Sequence, residues 1–164
     1  MDETRQVHEF GPVYDEESEI LILGSFPSVK SREMNFYYGH PQNRFWKLLA
    51  ALYETKEPDS IPEKKAFLIR RRIAVWDVIE SCDITGSSDS SIRNVKVNDI
   101  GRILGEAKIR TIYANGKKAG QLYQKYVEPK TKRSIVGLPS TSPANAAFGM
   151  ERLTESWKRI LERS

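Results

Sequence analysis

The sequence predicts an α/β fold, a three-layer α/β/α sandwich with a mainly parallel, four-stranded central sheet. Short, almost continuously apolar runs recur along the chain, and each is followed by a turn and then by apolar residues at helical spacing. Strands of this kind are typical of a parallel sheet that helices cover on both faces. The length of 164 residues fits one compact domain. We therefore expect a single domain over 1–164, with an acidic N-terminal segment at 1–19.

Four apolar runs define the predicted strands, and five patterns define the predicted helices. The strands cover 20–23, 73–76, 109–113 and 134–138. The helices begin near Asn43 as a cap, at Pro62 and after Gly116, and two more cover 97–107 and about 148–161. Ligands of parallel sheets bind beyond the carboxyl ends of the strands, so the site is expected at that edge.

The composition argues against several classes of protein. The chain has one cysteine, Cys82, and two histidines, His8 and His40, so neither a disulfide framework nor a metal or iron–sulfur site built from its residues is expected. No apolar run approaches the roughly 20 residues of a membrane-spanning helix, and no secretory signal is visible. Phosphate-binding GxGxxG and GxxxxGK[ST] motifs and a GxSxG nucleophile elbow are missing. We expect a cytoplasmic protein without metal or cofactor.

Charge is distributed unevenly along the chain. The net charge is +4, but residues 1–19 carry seven acidic and one basic side chain, which leaves 25 basic against 15 acidic side chains in the rest. Such an excess suits a polyanionic partner such as nucleic acid, because basic side chains facing phosphates release counterions. The alternative is a well-solvated surface, and charge alone does not decide between the two.

The segment from Gly24 to Trp46 offers a candidate base-binding site. The turn 24–28 (GSFPS), which contains Ser25 and Phe26, follows the first strand and lets backbone N–H groups approach a ligand. The adjacent aromatic residues 36–38 include Tyr37 and Tyr38, and aromatic faces stack on nucleic-acid bases. In the polar run 40–44, Asn43 supplies a neutral amide that can orient a water or read a base edge. The alternative is that these rings pack at the rim and that Asn43 only caps its helix.

Three further features suggest contacts to nucleic acid. The run 138–145 (LPSTSPAN) places small donors, Ser140, Thr141, Ser142 and Asn145, on a stiff loop suited to gripping phosphate. Asp77 ends the second strand, where its carboxylate can accept a hydrogen bond from a base. Arg93 and Lys117 are candidate contacts to the DNA backbone. The alternatives are an ordinary loop, a turn cap and solvated charges.

Together these segments resemble the uracil-DNA glycosylase superfamily, and most closely its deoxyinosine (hypoxanthine) glycosylase branch. The run 24–28 is similar to the first motif of that branch, as are 74–79 (AVWDVI), 89–94 (DSSIRN) and 138–145. The run 40–46 (HPQNRFW) is very similar to one in the mismatch-specific uracil/thymine glycosylases. The likeness covers nearly the whole chain.

The resemblance implies a monofunctional DNA glycosylase of base excision repair that flips a deaminated base, most closely hypoxanthine, and leaves an abasic site. It implies no cofactor, and it carries the catalytic role of the asparagine in the HPxN run over to Asn43. Other branches have an Asp or Asn where this chain reads Ser25-Phe26, and a His where it reads Leu138. These departures argue against uracil as the main substrate.

Catalytic roles are expected for Asn43, which would orient the attacking water, and for backbone N–H groups near Ser25, which would stabilise charge on the leaving base. Phe26, Tyr37 or Tyr38 would stack on the base, and Asp77 would accept the N1–H of hypoxanthine. The expected partner is damaged or mispaired DNA, bound by a monomer without metal or membrane. The alternatives are a mismatch-specific uracil/thymine glycosylase, a catalytically weak lesion-binding module and, with less support, a nucleoside hydrolase.

Overall fold

The computed structural model describes residues 4–7, 10–26, 36–84 and 92–162. Its secondary structure consists of seven strands and six helices in these ranges. In chain order they are β1 (Thr4–Val7), β2 (Ile20–Gly24), α1 (Phe45–Leu52), α2 (Ile61–Arg70), β3 (Ile73–Asp77), β4 (Ile79–Ile84), β5 (Arg93–Val97), α3 (Ile100–Glu106), β6 (Thr111–Asn115), α4 (Lys117–Tyr126), α5 (Glu128–Thr131), β7 (Val136–Leu138) and α6 (Met150–Trp157). A 3-10 turn over Lys158–Leu161 follows α6.

The central sheet has the strand order β3-β2-β6-β7, and all three neighbouring pairs are parallel. Every residue of β2 and of β3 is buried, so both faces of the sheet are covered. Successive side chains of a strand point to opposite faces, and the continuous apolar sequence of these strands follows from that burial. The structure confirms the predicted α/β class and the four-stranded parallel sheet.

A second sheet is the main difference from the sequence prediction. Strands β1, β4 and β5 form it in the order β1-β4-β5, with antiparallel pairing throughout. Only Val78 separates β3 from β4, in a segment that the sequence analysis treated as a connection leaving the central sheet. The residues of β5 are exposed or half-buried. An exposed antiparallel strand carries much less apolar patterning than a buried parallel one, which explains why the sequence did not reveal this sheet.

The predicted helices are all present, with shifted boundaries. The first begins at Phe45, two residues after the expected cap, and the second begins at Ile61 after Ser60, whose hydroxyl accepts a hydrogen bond from the Glu63 backbone. The strand predicted over 109–113 is β6, which covers Thr111–Asn115, so Asn115 is its last residue and not part of the following turn. None of the helices in the described ranges is long and apolar enough to cross a membrane.

Candidate active site

The carboxyl ends of the four parallel strands lie along one edge of the central sheet. Gly24 pairs with Asp77 at the ends of β2 and β3, and Asn115 pairs with Leu138 at the ends of β6 and β7. A cleft of about 900 Å³ opens at this edge. Its lining includes Ser25, Asn115, Lys117, Ser140, Ser142 and Asn145. The structure thus brings five of the predicted site residues to one cleft, together with Asn115, which the sequence analysis did not single out.

The loop that follows β7, residues 139–148, is called the serine loop here. Arg44, just before α1, holds it through a set of backbone carbonyl oxygens. The guanidinium donates to the oxygens of Ser142 at 2.8 Å, of Asn145 at 3.1 Å and of Phe148, with a longer contact of 3.4 Å to Thr141. The Arg44 backbone N–H also donates to the Thr141 oxygen at 3.1 Å. One planar cation therefore fixes the shape of the whole loop.

Asn43 belongs to a short hydrogen-bonded chain that leads from α1 to β6. Its side-chain oxygen accepts from the Phe45 backbone N–H at 3.0 Å and from the Thr141 hydroxyl at 2.8 Å. The Thr141 hydroxyl in turn accepts from the Asn115 side-chain amide at 3.0 Å, and the Thr141 backbone N–H donates to the Asn115 oxygen at 3.0 Å. Asn43 thus precedes Arg44, the cap residue of α1, and its oxygen accepts from the first backbone N–H of the helix, while Thr141 and Asn115 link it to the end of β6.

The polar residues of the serine loop divide into two groups. Thr141 is fully buried, with its hydroxyl and backbone N–H engaged inside the protein, so it does not present the phosphate donor expected from the sequence. Ser140 and Ser142 are half-buried; their hydroxyl oxygens accept from the backbone N–H groups of Ser142 and Ala144, both at 3.1 Å. Each hydroxyl keeps its own hydrogen for donation. The Asn145 amide donates to the Ser140 carbonyl at 3.0 Å.

The aromatic stretch, residues 36–38, lies largely in the core. Tyr37 is 1% exposed, its ring meets Phe10 edge-on at 4.6 Å, and its hydroxyl donates to the Gly11 carbonyl at 2.9 Å. The Trp46 indole N–H donates to the Tyr37 carbonyl at 3.1 Å. Tyr37 is thus a core residue in this structure and offers no open face for stacking on a base, in contrast to the expectation from the sequence.

Tyr38 lies between the core and the strand ends. Its ring stacks on Phe45 with centroids 4.1 Å apart, and its backbone adopts a left-handed φ of 54°. The hydroxyl is buried and makes no hydrogen bond to any part of the chain that the structure describes. Burial and the neighbouring Asp77 carboxylate both raise the pKa of Tyr38, and the nearby Asn115 amide opposes this only in part.

Gly24 allows Asp77 and Tyr38 to approach the end of β2. A Cβ atom at this position would lie 2.3 Å from the Asp77 Oδ1 atom and 3.1 Å from the Tyr38 hydroxyl, so any other residue would have to displace the Asp77 carboxylate. Asp77 itself is 3% exposed. Its backbone carbonyl accepts from the Asn98 side-chain amide at 2.9 Å, which fixes the junction between the two sheets.

The structure also places Phe26, Arg93 and Lys117, which were predicted as site residues. Phe26 is buried, and Arg93 is exposed on β5 in the second sheet and is not among the residues that line the cleft. Lys117 is exposed at the start of α4, on the rim of the cleft. Residues 27–28 and 89–91 of the predicted motifs lie outside the described residues. Within the described ranges, no group of three or more His, Cys, Asp and Glu residues is placed to hold a metal ion.

The comparisons with known proteins agree with this architecture. The family model of the uracil DNA glycosylase superfamily matches residues 12–161. A hypoxanthine DNA glycosylase of Methanosarcina acetivorans is 38% identical over 92% of this chain and 95% of its own length. One of Methanosarcina barkeri is 36% identical over 68% of this chain and 72% of its own length.

A solved structure extends the similarity to three dimensions. It is a solution NMR structure of a Methanosarcina acetivorans protein assigned to the uracil DNA glycosylases, with 33% sequence identity and a TM-score of 0.77. The match covers 93% of this chain and 97% of the other. With the central sheet, the cleft at its carboxyl edge and the family match over most of the residues, this chain belongs to the uracil DNA glycosylase superfamily.

Proposed function

We propose that this protein is a monofunctional DNA glycosylase that removes hypoxanthine from DNA and leaves an abasic site for base excision repair. The observation that carries the proposal is Asn43, which is fixed by two hydrogen bonds beside a donor-rich cleft at the carboxyl edge of the sheet. The two relatives known as hypoxanthine DNA glycosylases support the choice of base.

The reaction needs a flipped nucleotide and one water molecule. Flipping costs roughly a few kcal/mol of unstacking, least where the base is already mispaired. The water oxygen then bonds to C1′ of the sugar while the C1′–N9 bond breaks. The bonding electron pair leaves with the purine, and a water proton reaches the released base directly or through solvent. The protein has to hold the nucleotide and the water and to stabilise charge on the leaving purine.

We assign the grip on DNA to the cleft rim. The hydroxyl hydrogens of Ser140 and Ser142 and the ammonium group of Lys117 would contact the phosphates beside the flipped nucleotide. Asn145, whose amide already supports the loop, lies next to these donors. Because the loop is held by Arg44, the donors are positioned before DNA arrives, which reduces the ordering cost of binding.

Base selection is assigned to the group around Gly24. The Asp77 side chain offers an acceptor for the N1–H of hypoxanthine, whereas adenine presents only an acceptor at N1. The Asp77 carboxylate and the Tyr38 hydroxyl are both buried and lie close to Gly24, so we propose that the Tyr38 ring shifts as the base enters. Its left-handed backbone and its buried hydroxyl, which lacks a partner in the described part of the chain, favour this shift. Full activity and selectivity in Asp77→Asn would contradict this role.

The experiment that tests the function uses a labelled duplex with one deoxyinosine opposite thymine. Parallel duplexes carry uracil or thymine opposite guanine, and alkali cleaves the abasic sites that are formed. We expect cleavage at deoxyinosine and its loss in Asn43→Ala. Binding of the lesion without any cleavage would leave a recognition module and refute the enzymatic function.

A second candidate is excision of uracil or thymine from mismatches with guanine. The run 40–46 and the likeness to the NMR structure assigned to the uracil DNA glycosylases favour it. The residues Ser25-Phe26 and Leu138 argue against it, because the resemblance places an acid or amide and a histidine there in other branches. Cleavage only at uracil in the assay above would select this function.

The protein is further proposed to act as a monomer on DNA in the cytoplasm. Light scattering of the protein alone and bound to a lesion duplex tests this, and a stable dimer would contradict it.

A further inference from the structure

We propose that Asn43 faces the substrate with its amide N–H group and not with its oxygen, and that Thr141 and Asn115 are positioning residues that fix this polarity. The proposal rests on the glycosylase function proposed above and defines what Asn43 contributes to it. It specifies which atom of the Asn43 amide acts on the substrate or the attacking water, and it makes that atom a hydrogen-bond donor.

The first step is the contact between Asn43 and Phe45. A backbone N–H group can only donate a hydrogen bond. The Asn43 side-chain atom that lies 3.0 Å from the Phe45 backbone nitrogen must therefore be the amide oxygen. This identifies the oxygen and nitrogen of the amide from chemistry alone.

The second step starts from the other end of the chain of hydrogen bonds. The Thr141 backbone N–H, again only a donor, lies 3.0 Å from the Asn115 side chain, so the atom it contacts is the Asn115 oxygen. The Asn115 nitrogen is then the atom 3.0 Å from the Thr141 hydroxyl oxygen, and it donates to it. The Thr141 hydroxyl consequently directs its own hydrogen to the Asn43 oxygen at 2.8 Å.

The third step concerns what remains exposed. Both lone pairs of the Asn43 oxygen are occupied, one by Phe45 and one by Thr141. The amide nitrogen has no hydrogen bond to the described residues, and Asn43 is only half-buried, whereas Thr141 and Asn115 are buried. A rotation of the amide by a half-turn would break both accepted bonds and turn the amide N–H group toward the Phe45 N–H and the Thr141 O–H. The outward group is thus a donor.

A donor at this place can serve two acceptors in the reaction. It can hold the attacking water by one lone pair of its oxygen, or it can meet a lone pair of the leaving purine. The shared chemistry is an acceptor that becomes engaged in the transition state, where a fixed donor is most effective because no reorganisation is needed.

The decisive variant is Asn43→Asp. A carboxylate accepts from both Phe45 and Thr141 as the amide does, so only the outward group changes, from donor to acceptor. We expect the rate of hypoxanthine release to fall about 100-fold or more, as far as in Asn43→Ala, with the melting temperature unchanged. Gln42→Glu, an exposed neighbour, adds the same charge and is the control. Release by Asn43→Asp within about threefold of the Gln42→Glu rate would overturn the proposal.

The positioning role is tested at Thr141. Thr141→Ser keeps the hydroxyl and is expected to retain activity, whereas Thr141→Val keeps the shape but removes the donor. We expect Thr141→Val to lower kcat about tenfold with KM unchanged, because DNA binding does not use this buried group. Equal losses in the serine and valine variants, or a loss confined to KM, would contradict a positioning role.

Binding separates the two acceptors. A duplex with 2′-fluoro-deoxyinosine, whose glycosidic bond resists hydrolysis, reports on contacts to the intact base. Weaker binding by Asn43→Asp than by Gln42→Glu would show that the donor contacts the purine, and equal binding with a lower kcat would show that it contacts the water.

If the unmodified protein releases no hypoxanthine, the proposed function fails. The polarity is then read from stability, since Asn43→Leu should melt lower than Asn43→Asp, and equal melting would refute the hydrogen-bonded chain.

Discussion

The serine loop and the aromatic stretch both border the candidate site, but different forces hold them. The loop is fixed by directional hydrogen bonds: Arg44 donates to several of its backbone oxygens, and the Asn115 side chain accepts from the Thr141 backbone N–H and donates to the Thr141 hydroxyl. The aromatic stretch is fixed by ring packing, with Phe36 stacked near Trp46 and edge-on to Tyr37. Hydrogen bonds specify geometry, whereas apolar packing is less directional and tolerates changes of shape better.

This difference predicts how each region responds to mutation. Loss of one side chain should disturb the loop as a whole, because its carbonyl groups share a single charged donor. A change in the aromatic stretch should lower stability while leaving the geometry of the cleft nearly intact. The following predictions test this contrast, from the largest expected effect to the smallest.

The largest effect is expected for Arg44→Met. It removes the donor from the carbonyls of Ser142, Asn145 and Phe148, and we expect a loss of about 3 kcal/mol in the free energy of unfolding, since hydrogen bonds to charged groups contribute roughly 1.5–3 kcal/mol. Release of hypoxanthine should fall about 100-fold because the loop donors lose their positions. Denaturant unfolding and single-turnover kinetics measure the two effects.

Arg44→Lys is the matched control for charge. Lysine keeps the positive charge but lacks the planar fork, so most of the loss should remain. If Arg44→Met unfolded at the same denaturant concentration as the unmodified protein, the serine loop would not depend on this side chain and the contrast would fail.

Phe36→Leu tests the aromatic stretch. Phe36 is buried and packs against Tyr37 and Trp46, so the loss of its ring should lower the free energy of unfolding by about 1–2 kcal/mol. The rate of hypoxanthine release under conditions where the protein is folded should change less than about threefold. A large loss of activity at normal stability would show that this stretch shapes the site as strictly as the loop does.

High pH tests the burial of the aromatic stretch in the unmodified protein. Burial, and then the Asp77 carboxylate, raise the pKa of both Tyr37 and Tyr38 above the ordinary value of 10.0. The native state therefore keeps protons that the unfolded state loses, so stability is complete below about pH 10 and falls as the pH rises further.

Unfolding midpoints measured below and above about pH 10 should show this decline in stability. Tyrosinate absorbance, as a second signal, reports when the tyrosines ionise. Tyr38→Phe should make it shallower. An equal decline in Tyr38→Phe and in the unmodified protein, together with early ionisation of the native tyrosines, would contradict the assignment.

The smallest effect is expected for Tyr37→Phe. The change removes the hydrogen bond from the hydroxyl to the Gly11 carbonyl but keeps the ring, so a loss of about 1 kcal/mol in the free energy of unfolding follows. Activity should be unchanged because this ring lies in the core. A specific loss of hypoxanthine binding would restore Tyr37 to the base-contacting residues.

The sequence allowed the central sheet and the edge at which the candidate cleft opens to be predicted, for a physical reason. Strands β2 and β3 are buried on both faces, so nearly every residue had to be apolar, and the parallel order places their ends together. Asn43 was identified through a motif next to a helix start, and its oxygen does bind the backbone of that helix.

Other features left no pattern in the sequence. Arg44 contacts backbone oxygens about 100 residues away, and a carbonyl group is the same whatever residue bears it. Asn115 is followed by Gly116, a pair that favours turns, yet it is the last residue of β6. The burial of Tyr37 depends on Phe10, which is remote in the sequence, and aromatic residues serve cores and binding sites equally well.

The reach of Arg44 also bears on the order in which the protein folds. Its partners lie 97 to 104 residues further along the chain, so closing this contact requires a long loop of chain to be ordered first. Helices α1 and α2 can form from neighbouring residues, whereas the cleft exists only once the last quarter of the polypeptide has docked. In refolding experiments, catalytic competence should thus return after the helical circular dichroism signal, and simultaneous recovery would show that docking limits both. During synthesis, the central sheet can therefore begin to form while the C-terminal residues are still in the ribosome, but the cleft cannot.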